Sequence, residues 1–180
     1  VLQAVAWLYT WVMRAVPTLV QLIFWFNLAA LYPTISIGIP FGPTLASGSA
    51  NILITTWTAA ILGLGLHEAA YMAEIVRSGI QAIDRGQSEA GLALGMSRGL
   101  VMWRVVLPQA FKVIIPPTGN QVIGMLKLTS LVSVIALSDL LYSAELIYSR
   151  NFLVIPLLVV IVFWYLVLTS LLMIGQHFLE

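Results

Sequence analysis

The stretch FLVIPLLVVIVFWYLVLTSLLMI, residues 152–174, contains no charged residue. An apolar segment of about 20 residues matches the hydrocarbon thickness of a bilayer, so this stretch predicts a transmembrane helix. The whole chain has the same character, since 61% of its 180 residues are hydrophobic, only 8% are charged and its mean hydropathy is +1.01. A soluble domain carries roughly a quarter charged residues. The sequence therefore predicts an integral membrane protein.

Three further stretches are long and apolar enough to be predicted as spans, at residues 16–32, 53–75 and 113–137. The stretch 53–75 is uncharged through Leu66 and then carries His67, Glu68 and Glu74. The stretch 113–137 must face protein or water along one side because it contains Pro116, Pro117, Asn120, Gln121 and Lys127. The prediction is an all-α membrane protein with about four transmembrane helices and one transmembrane domain over residues 1–180.

The connections between the spans differ in charge. Residues 33–51 are rich in glycine and proline and carry no charge, which predicts a turn-rich loop, and residues 139–151 form the other short loop. Residues 77–112 carry five of the eight basic residues, Arg77, Arg85, Arg98, Arg104 and Lys112. The positive-inside rule places this connection in the cytoplasm, the two loops outside and both chain ends inside.

Several function classes are disfavoured. The formal net charge of +1 and the isoelectric point near 8.3 do not suit a nucleic-acid-binding protein, and the lack of cysteine excludes disulfides and thiolate metal sites. The run His67-Glu68-Ala69-Ala70-Tyr71 has tyrosine where a zinc protease motif needs its second histidine, so His67 is predicted to be a hydrogen-bonded interior residue. Gly119 to Gly124 is followed by Met125 and not by lysine, so no phosphate-binding loop is present.

The connection 77–112 has the pattern of ordered helices. Asp84 or Ser88 can cap a short helix, and Gly95 is placed to end it in the left-handed conformation. A second helix is predicted from Ser97 to Val106, with Pro108 interrupting it. From spacing alone, a hairpin that merely covers the bundle and a loop that docks a partner are equally good interpretations.

A specific pattern in this loop bears on that choice. Glu89-Ala90-Gly91 is followed after three residues by Gly95 and after nine more by Val105-Val106-Leu107-Pro108. This resembles the EAA loop of ABC importer permeases, with Gly91 in place of the third-position alanine and Val105 in place of isoleucine. The flanking runs are similar to the polar amino acid branch of that family: Tyr9 with Arg14-Ala15-Val16-Pro17, Ala70 to Arg77, Gly86-Gln87, Leu107 to Ala110, Asn120-Gln121 and Lys127 to Leu131.

The resemblance implies a transport subunit of a prokaryotic cytoplasmic membrane, with no enzymatic activity of its own. Its implied partners are ABC ATPase subunits that bind ATP and Mg²⁺, a second permease subunit of the same or a sister type, an extracytoplasmic amino acid binding protein, and membrane lipid. It also implies one more span before Val1, giving five in the full subunit. The residues that it assigns to ATPase coupling are Glu89, Ala90, Gly91, Gly95, Leu107 and Pro108.

Polar residues inside the spans are the candidates for a substrate path. They are Glu68, Tyr71, Asn120, Gln121, Lys127, Thr129 and Ser130. Uncharged amides and hydroxyls supply both donors for an amino acid carboxylate and acceptors for its ammonium group, and the Pro116-Pro117 pair is expected to open the helix beside them. Hydrogen bonding between helices is the alternative role for these groups. Glu68 either pairs with Lys127 or meets the substrate ammonium group.

A different transport mechanism is the competing hypothesis. Glu68, Glu74 and Lys127 could form the ion relay of a secondary transporter that needs no ATPase, because ionisable residues inside a membrane commonly mark such relays. That hypothesis leaves the loop of small residues unexplained. Glu74 and Arg77 lie three residues apart, so a local salt bridge is predicted between them.

Overall fold

The computed structural model describes residues 1–38 and 44–178, which are mainly helical. In chain order the elements are α1 (Leu2–Ala15), α2 (Thr18–Leu31), β1 (Thr34–Gly38), β2 (Thr44–Ser49), α3 (Ala50–Leu53), α4 (Thr56–Gln81), α5 (Arg85–Ala93), α6 (Arg98–Val101), a π-helical turn (Met102–Val106), α7 (Leu107–Leu128), a 3₁₀ segment (Thr129–Ile135), α8 (Leu140–Asn151) and α9 (Val154–His177). The predicted all-α membrane fold is confirmed, with one short hairpin added.

The helices at the predicted spans differ in length and hydropathy. Among the described residues, three helical stretches are long and apolar enough to cross a membrane: Thr56–Gln81, Arg98–Ile135 and Val154–His177. By contrast, α2 has 14 residues and, at about 1.5 Å per residue, is shorter than the roughly 30 Å hydrocarbon core. It reaches spanning length only when paired with α1, from which it is bent by 106°. The predicted span at residues 16–32 is therefore half of a bent pair.

Pro17 explains where that bend falls. The residue before a proline is pushed out of the helical region, and Val16 is extended, with φ −86° and ψ 131°. The ring of Pro17 fixes its own φ near the helical value, so a new helix can start directly after it. As a result α1 ends at Ala15 and α2 begins at Thr18, rather than at the predicted Val16.

The prolines of α7 behave differently, and two predictions about them are wrong. Pro108 was expected to interrupt the preceding helix, yet the chain stays helical through a wider π-helical turn, in which the Leu107 amide donates to the Met102 carbonyl. Pro116 and Pro117 were expected to open the span, yet they lie inside one helix from Leu107 to Leu128. Neighbouring helices in a membrane protein commonly satisfy the backbone groups that such prolines free.

The two connections predicted as loops contain regular structure. In the stretch 33–51, β1 and β2 pair antiparallel with Thr34 opposite Ser49, while residues 39–43, which include Pro40 and Pro43, lie outside the described residues. The predicted loop at 139–151 is instead α8. Its first turn is capped by Asp139, whose carboxylate accepts a hydrogen bond of 2.7 Å from the Tyr142 amide.

The chain divides into two compact units, residues 1–68 with 128–162 and residues 69–127 with 163–180. The first has Leu22 fully buried, and the second has Ala70 and Ala110 fully buried. Glycines allow helices of one unit to approach closely: a Cβ added to Gly63 would lie 3.1 Å from the Leu22 Cα, and one added to Gly79 would lie 2.3 Å from the Ile114 Cγ1. Small residues therefore set the helix spacing in both units.

Candidate coupling loop and substrate path

Helix α5 begins and ends as its sequence predicts. Of the two possible caps, Asp84 is used, and its carboxylate accepts a hydrogen bond of 2.6 Å from the Gly86 amide. Gly95 has φ +83°, which confirms the predicted left-handed termination. The Met96 amide then donates to the Gly91 carbonyl at 3.1 Å, the six-to-one bond that typically closes a helix ending in glycine. These local bonds fix the length and position of α5.

One face of α5 packs on the helix that follows it. Gly91 is buried, and a Cβ at this position would lie 2.9 Å from the Val101 Cγ2 and 3.5 Å from the Met96 sulfur. Val101 itself is buried. The glycine at the third position of the Glu-Ala-Gly run thus leaves room for Val101, which accounts for the departure from alanine at this site.

The opposite face of α5 is open. Glu89 and Ala90 are exposed, Leu92 is 44% exposed, and Leu94, just after the helix, is 85% exposed. Isolated apolar side chains on a surface are common, but they stand here on a short, firmly capped helix that projects from the most basic part of the chain. The exposed side of α5 is therefore partly apolar and carries Glu89 and Ala90 of the Glu-Ala-Gly run.

A side-chain contact joins α5 to the start of α7. The Gln109 amide nitrogen donates to the Val105 carbonyl at 2.8 Å and to Gln87 Oε1 at 3.4 Å. Leu107 and Pro108 lie at the same place, where the π-helical turn passes into α7. Gln87, two residues before the quoted pattern, and Gln109, directly after it, therefore connect α5 with a helix long enough to span a membrane.

The predicted local ion pair is present. The Arg77 Nε donates to Glu74 Oε2 at 3.0 Å, and a second guanidinium nitrogen contacts the other carboxylate oxygen of Glu74. Arg77 also donates to Gln81 Oε1 at 2.7 Å. These bonds tie the last turns of α4 together just before the loop begins.

The candidate path residues are distributed over three elements. Glu68 and Tyr71 lie on α4, Asn120, Gln121 and Lys127 lie on α7, and Thr129 and Ser130 begin the 3₁₀ segment. Within the second unit, the Gln176 amide of α9 donates to the Pro116 carbonyl at 3.2 Å and approaches Asn120 Oδ1 at 3.5 Å. The local irregularity follows Leu128 rather than the proline pair, so Thr129 and Ser130 stand where the helix tightens. Their contact with substrate stays a prediction.

A polar cluster around His67 is more elaborate than the sequence indicated. His67 is buried, as predicted, and its Nδ1 lies 3.1 Å from the Met13 carbonyl while Nε2 lies 3.2 Å from Thr18 Oγ1. The same Nδ1 also lies 3.4 Å from the Gln21 side-chain nitrogen, so the ring of His67 contacts both the end of α1 and the first turn of α2. The Tyr9 hydroxyl donates to the Leu66 carbonyl at 2.7 Å. We name this set, together with Gln21, the corner cluster.

Gln21 completes the corner cluster at the bend between α1 and α2. Its amide nitrogen donates to the Met13 and Val16 carbonyls, both at 2.8 Å. These are carbonyls whose helical donors are lost where α1 ends. Its Oε1 is buried without a hydrogen-bond partner among the described residues. In the sequence, the corner cluster is indicated by the run from Tyr9 to Pro17, which lies at the bend. The sequence alone did not show that this run contacts His67.

Helices long enough to span a membrane, a capped helix with an exposed face in the basic loop between α4 and α7, and polar residues inside the spans are together typical of a multi-pass membrane transport component. The comparison of families agrees: the family described as the binding-protein-dependent transport system inner membrane component matches residues 1–180. The chain belongs to this family.

Individual relatives of this chain are permease proteins of amino acid transport systems. The arginine transport system permease protein ArgU of Corynebacterium glutamicum is 51% identical over 100% of this chain and 56% of its own length. The probable glutamine ABC transporter permease protein GlnM of Bacillus subtilis is 36% identical over 73% of this chain and 61% of its own length. The chain thus spans little more than half of these relatives.

A solved structure has the same fold. It is described as the crystal structure of an amino acid ABC transporter with histidines, and one of its chains superposes on this one with a TM-score of 0.83 and 35% sequence identity. The match covers 99% of this chain and 75% of the other. At this TM-score and identity the two chains share a fold.

Proposed function

We propose that this chain belongs to a permease subunit in a binding-protein-dependent ABC importer for a polar amino acid. ATP hydrolysis takes place in separate ATPase subunits, and these hold ATP and Mg²⁺. A second permease subunit, the same or a sister chain, completes the path, and an extracytoplasmic binding protein supplies the substrate. Both ends of the chain described here lie on the cytoplasmic side.

The observation that carries this proposal is α5. A helix of 9 residues, capped by Asp84 and closed at Gly95, presents Glu89, Ala90 and Leu94 outward while Gly91 packs against its own chain. A helix of this kind can transmit a partner's rigid-body movement, because hydrogen bonds fix both of its ends. The ion-relay alternative gives this geometry no role.

The substrate is proposed from the relatives. One of them is named for arginine and another for glutamine, so a polar amino acid is the substrate class, and arginine is the first to test. The residues offered for substrate contact are Asn120, Gln121 and Ser130, with Glu68 as a group for a substrate cation. Lys127, Tyr71 and Thr129 complete the set that the substrate path would include.

A cysteine crosslink tests the coupling role directly. The chain has no cysteine, so Ala90→Cys introduces a single thiol on the open face of α5. Co-expressed with its candidate ATPase carrying single cysteines, this variant is expected to crosslink, and ATP binding should weaken the crosslink or move it to another ATPase residue. Ser143→Cys on α8, exposed but at the other end of the membrane by the predicted orientation, is the matched control and should give none.

The energy source separates the two mechanisms. Uptake of labelled arginine into cells or vesicles should continue when a protonophore collapses the ion gradients while ATP is maintained, and should stop when ATP is depleted. Uptake that fails with the protonophore alone, together with no crosslink from position 90, would favour the ion relay of Glu68, Glu74 and Lys127 instead.

A further inference from the structure

A cleft of about 760 Å³ opens between three helices of the second unit, α4, α7 and α9. Its walls include Val76, Phe111, Ile115, Val122, Leu171 and Leu172. Phe111 is 55% exposed and Leu171 is 61% exposed, so the cleft is open to the outside of the described chain. The volume is within the range of about 300–1,000 Å³ that small-molecule sites have.

The few polar groups in the wall are turned toward helix backbone. The Thr118 hydroxyl donates to the Ile114 carbonyl at 2.8 Å, and the Gln176 amide donates to the Pro116 carbonyl at 3.2 Å. An apolar cavity of this kind does not hold water well, because a buried water needs two to four polar partners. The natural occupant is hydrocarbon.

The cleft begins near one end of each of its three helices. Its residues come from the end of α4, from Phe111 to Ile123 in α7 and from the end of α9. All three ends meet the same side of the membrane, and that side carries the basic loop between α4 and α7, which the positive-inside rule places in the cytoplasm. An occupant of the cleft would therefore be drawn from the cytoplasmic leaflet, where anionic lipids attract basic residues.

Lys112 lies near the start of α7, beside the first cleft residue of that helix, Phe111. Lys112 precedes Ile115 by one helical turn and Gly119 by two, so it falls on the face of α7 that lines the cleft. It is exposed and forms no salt bridge with any residue in the part of the chain that the structure describes. A lysine so placed can extend its ammonium group to the interface beside the apolar wall.

We propose that this cleft binds an anionic phospholipid of the cytoplasmic leaflet, with an acyl chain between α7 and α9 and the phosphate on Lys112. Apolar walls and a lysine at the interface end match the two parts of such a lipid. The proposal does not depend on what the subunit transports.

A photoreactive lipid tests it. The full chain is reconstituted in nanodiscs that contain phosphatidylglycerol or phosphatidylcholine with a diazirine in the acyl chain, and labelled residues are mapped by mass spectrometry. We expect phosphatidylglycerol to label the cleft walls, Ile115, Val122 and Leu172 among them, more strongly than phosphatidylcholine does. Lys112→Gln should reduce the phosphatidylglycerol preference about fivefold, the factor for one basic residue at an anionic surface. Arg98→Gln, in the same basic loop, should leave it unchanged.

A second variant fills the cleft without changing any charged residue. Gly175 lines the cleft and an added Cβ there would meet no atom within 4 Å, so Gly175→Leu should occupy the space and remove the labelling. Gly124→Leu, also with open space around the added Cβ and outside the cleft, is the control for folding. Labelling that is equal for both lipids and unaffected by Gly175→Leu would overturn the proposal. So would protein crosslinks showing that a transmembrane helix fills the cleft.

Discussion

The contact between Gly79 and Ile114 gives the sharpest test of the packing in the second unit. An alanine at position 79 would place its Cβ 2.3 Å from the Ile114 Cγ1 and 3.1 Å from its Cδ1. Carbon atoms in favourable contact are about 3.5–4.0 Å apart, so the overlap exceeds 1 Å. Ile114 is buried on α7, and a β-branched side chain in a helix has little freedom at χ1, so it cannot swing away.

The expected cost follows from two opposing terms. Replacing glycine by alanine in a helix contributes about 1 kcal/mol of stability, whereas overpacking a filled site costs about 1–3 kcal/mol. With so large an overlap we expect the upper end, a net loss of about 2 kcal/mol for Gly79→Ala. Gly124→Ala, where the new methyl meets no atom within 4 Å, should instead be neutral or stabilising by up to about 1 kcal/mol.

Chemical unfolding in detergent, followed by circular dichroism, measures both variants against the parent chain. A double-mutant cycle with Ile114→Ala isolates the pair, and the coupling energy should offset most of the Gly79→Ala loss because the clashing carbon is gone. If Gly79→Ala proves as stable as Gly124→Ala, then α4 and α7 are not in close contact at Gly79 and Ile114.

Two further substitutions probe the loop and the corner cluster. Gly91→Ala places a methyl 2.9 Å from the Val101 Cγ2, so the unfolding midpoint should fall, Val101→Ala should restore part of it, and Gly99→Ala, which meets nothing within 4 Å, should not lower it. Tyr9→Phe removes the hydroxyl that donates to the Leu66 carbonyl and should cost about 1 kcal/mol in the same measurement; an unchanged midpoint would show that this bond adds no stability.

The features that the sequence predicted well are those set by local chemistry. Asp84, Gly95 and the Glu74–Arg77 pair act within a few residues of their own positions, so the pattern contains all the information that their geometry requires. The uncharged run of α9 is equally local, because span length depends only on composition and bilayer thickness. The interior position of His67 was predicted from local sequence too, because the second histidine that a zinc site would need is missing from the run His67 to Tyr71.

The features that the sequence did not predict depend on what surrounds each residue in the folded chain. Pro17 bends the chain, whereas Pro108, Pro116 and Pro117 do not break theirs. A proline removes the same donor in every case, and the outcome differs because a π-helical turn precedes Pro108 and α9 packs beside Pro116. The candidate substrate path was predicted only as a set of residue types, since one sequence does not show which side of each span faces the others.

These contacts bear on how a coupling loop could work in the proposed importer. Gly91 on Val101, Gln87 with Gln109, and Gly79 on Ile114 form a chain of close contacts from α5 to α7 and on to α4, all within one compact unit. Side chains at such positions cannot absorb a displacement by changing rotamer, because two of the contacts are made by glycine. A partner that shifts α5 would therefore move the adjoining ends of α4 and α7 with it.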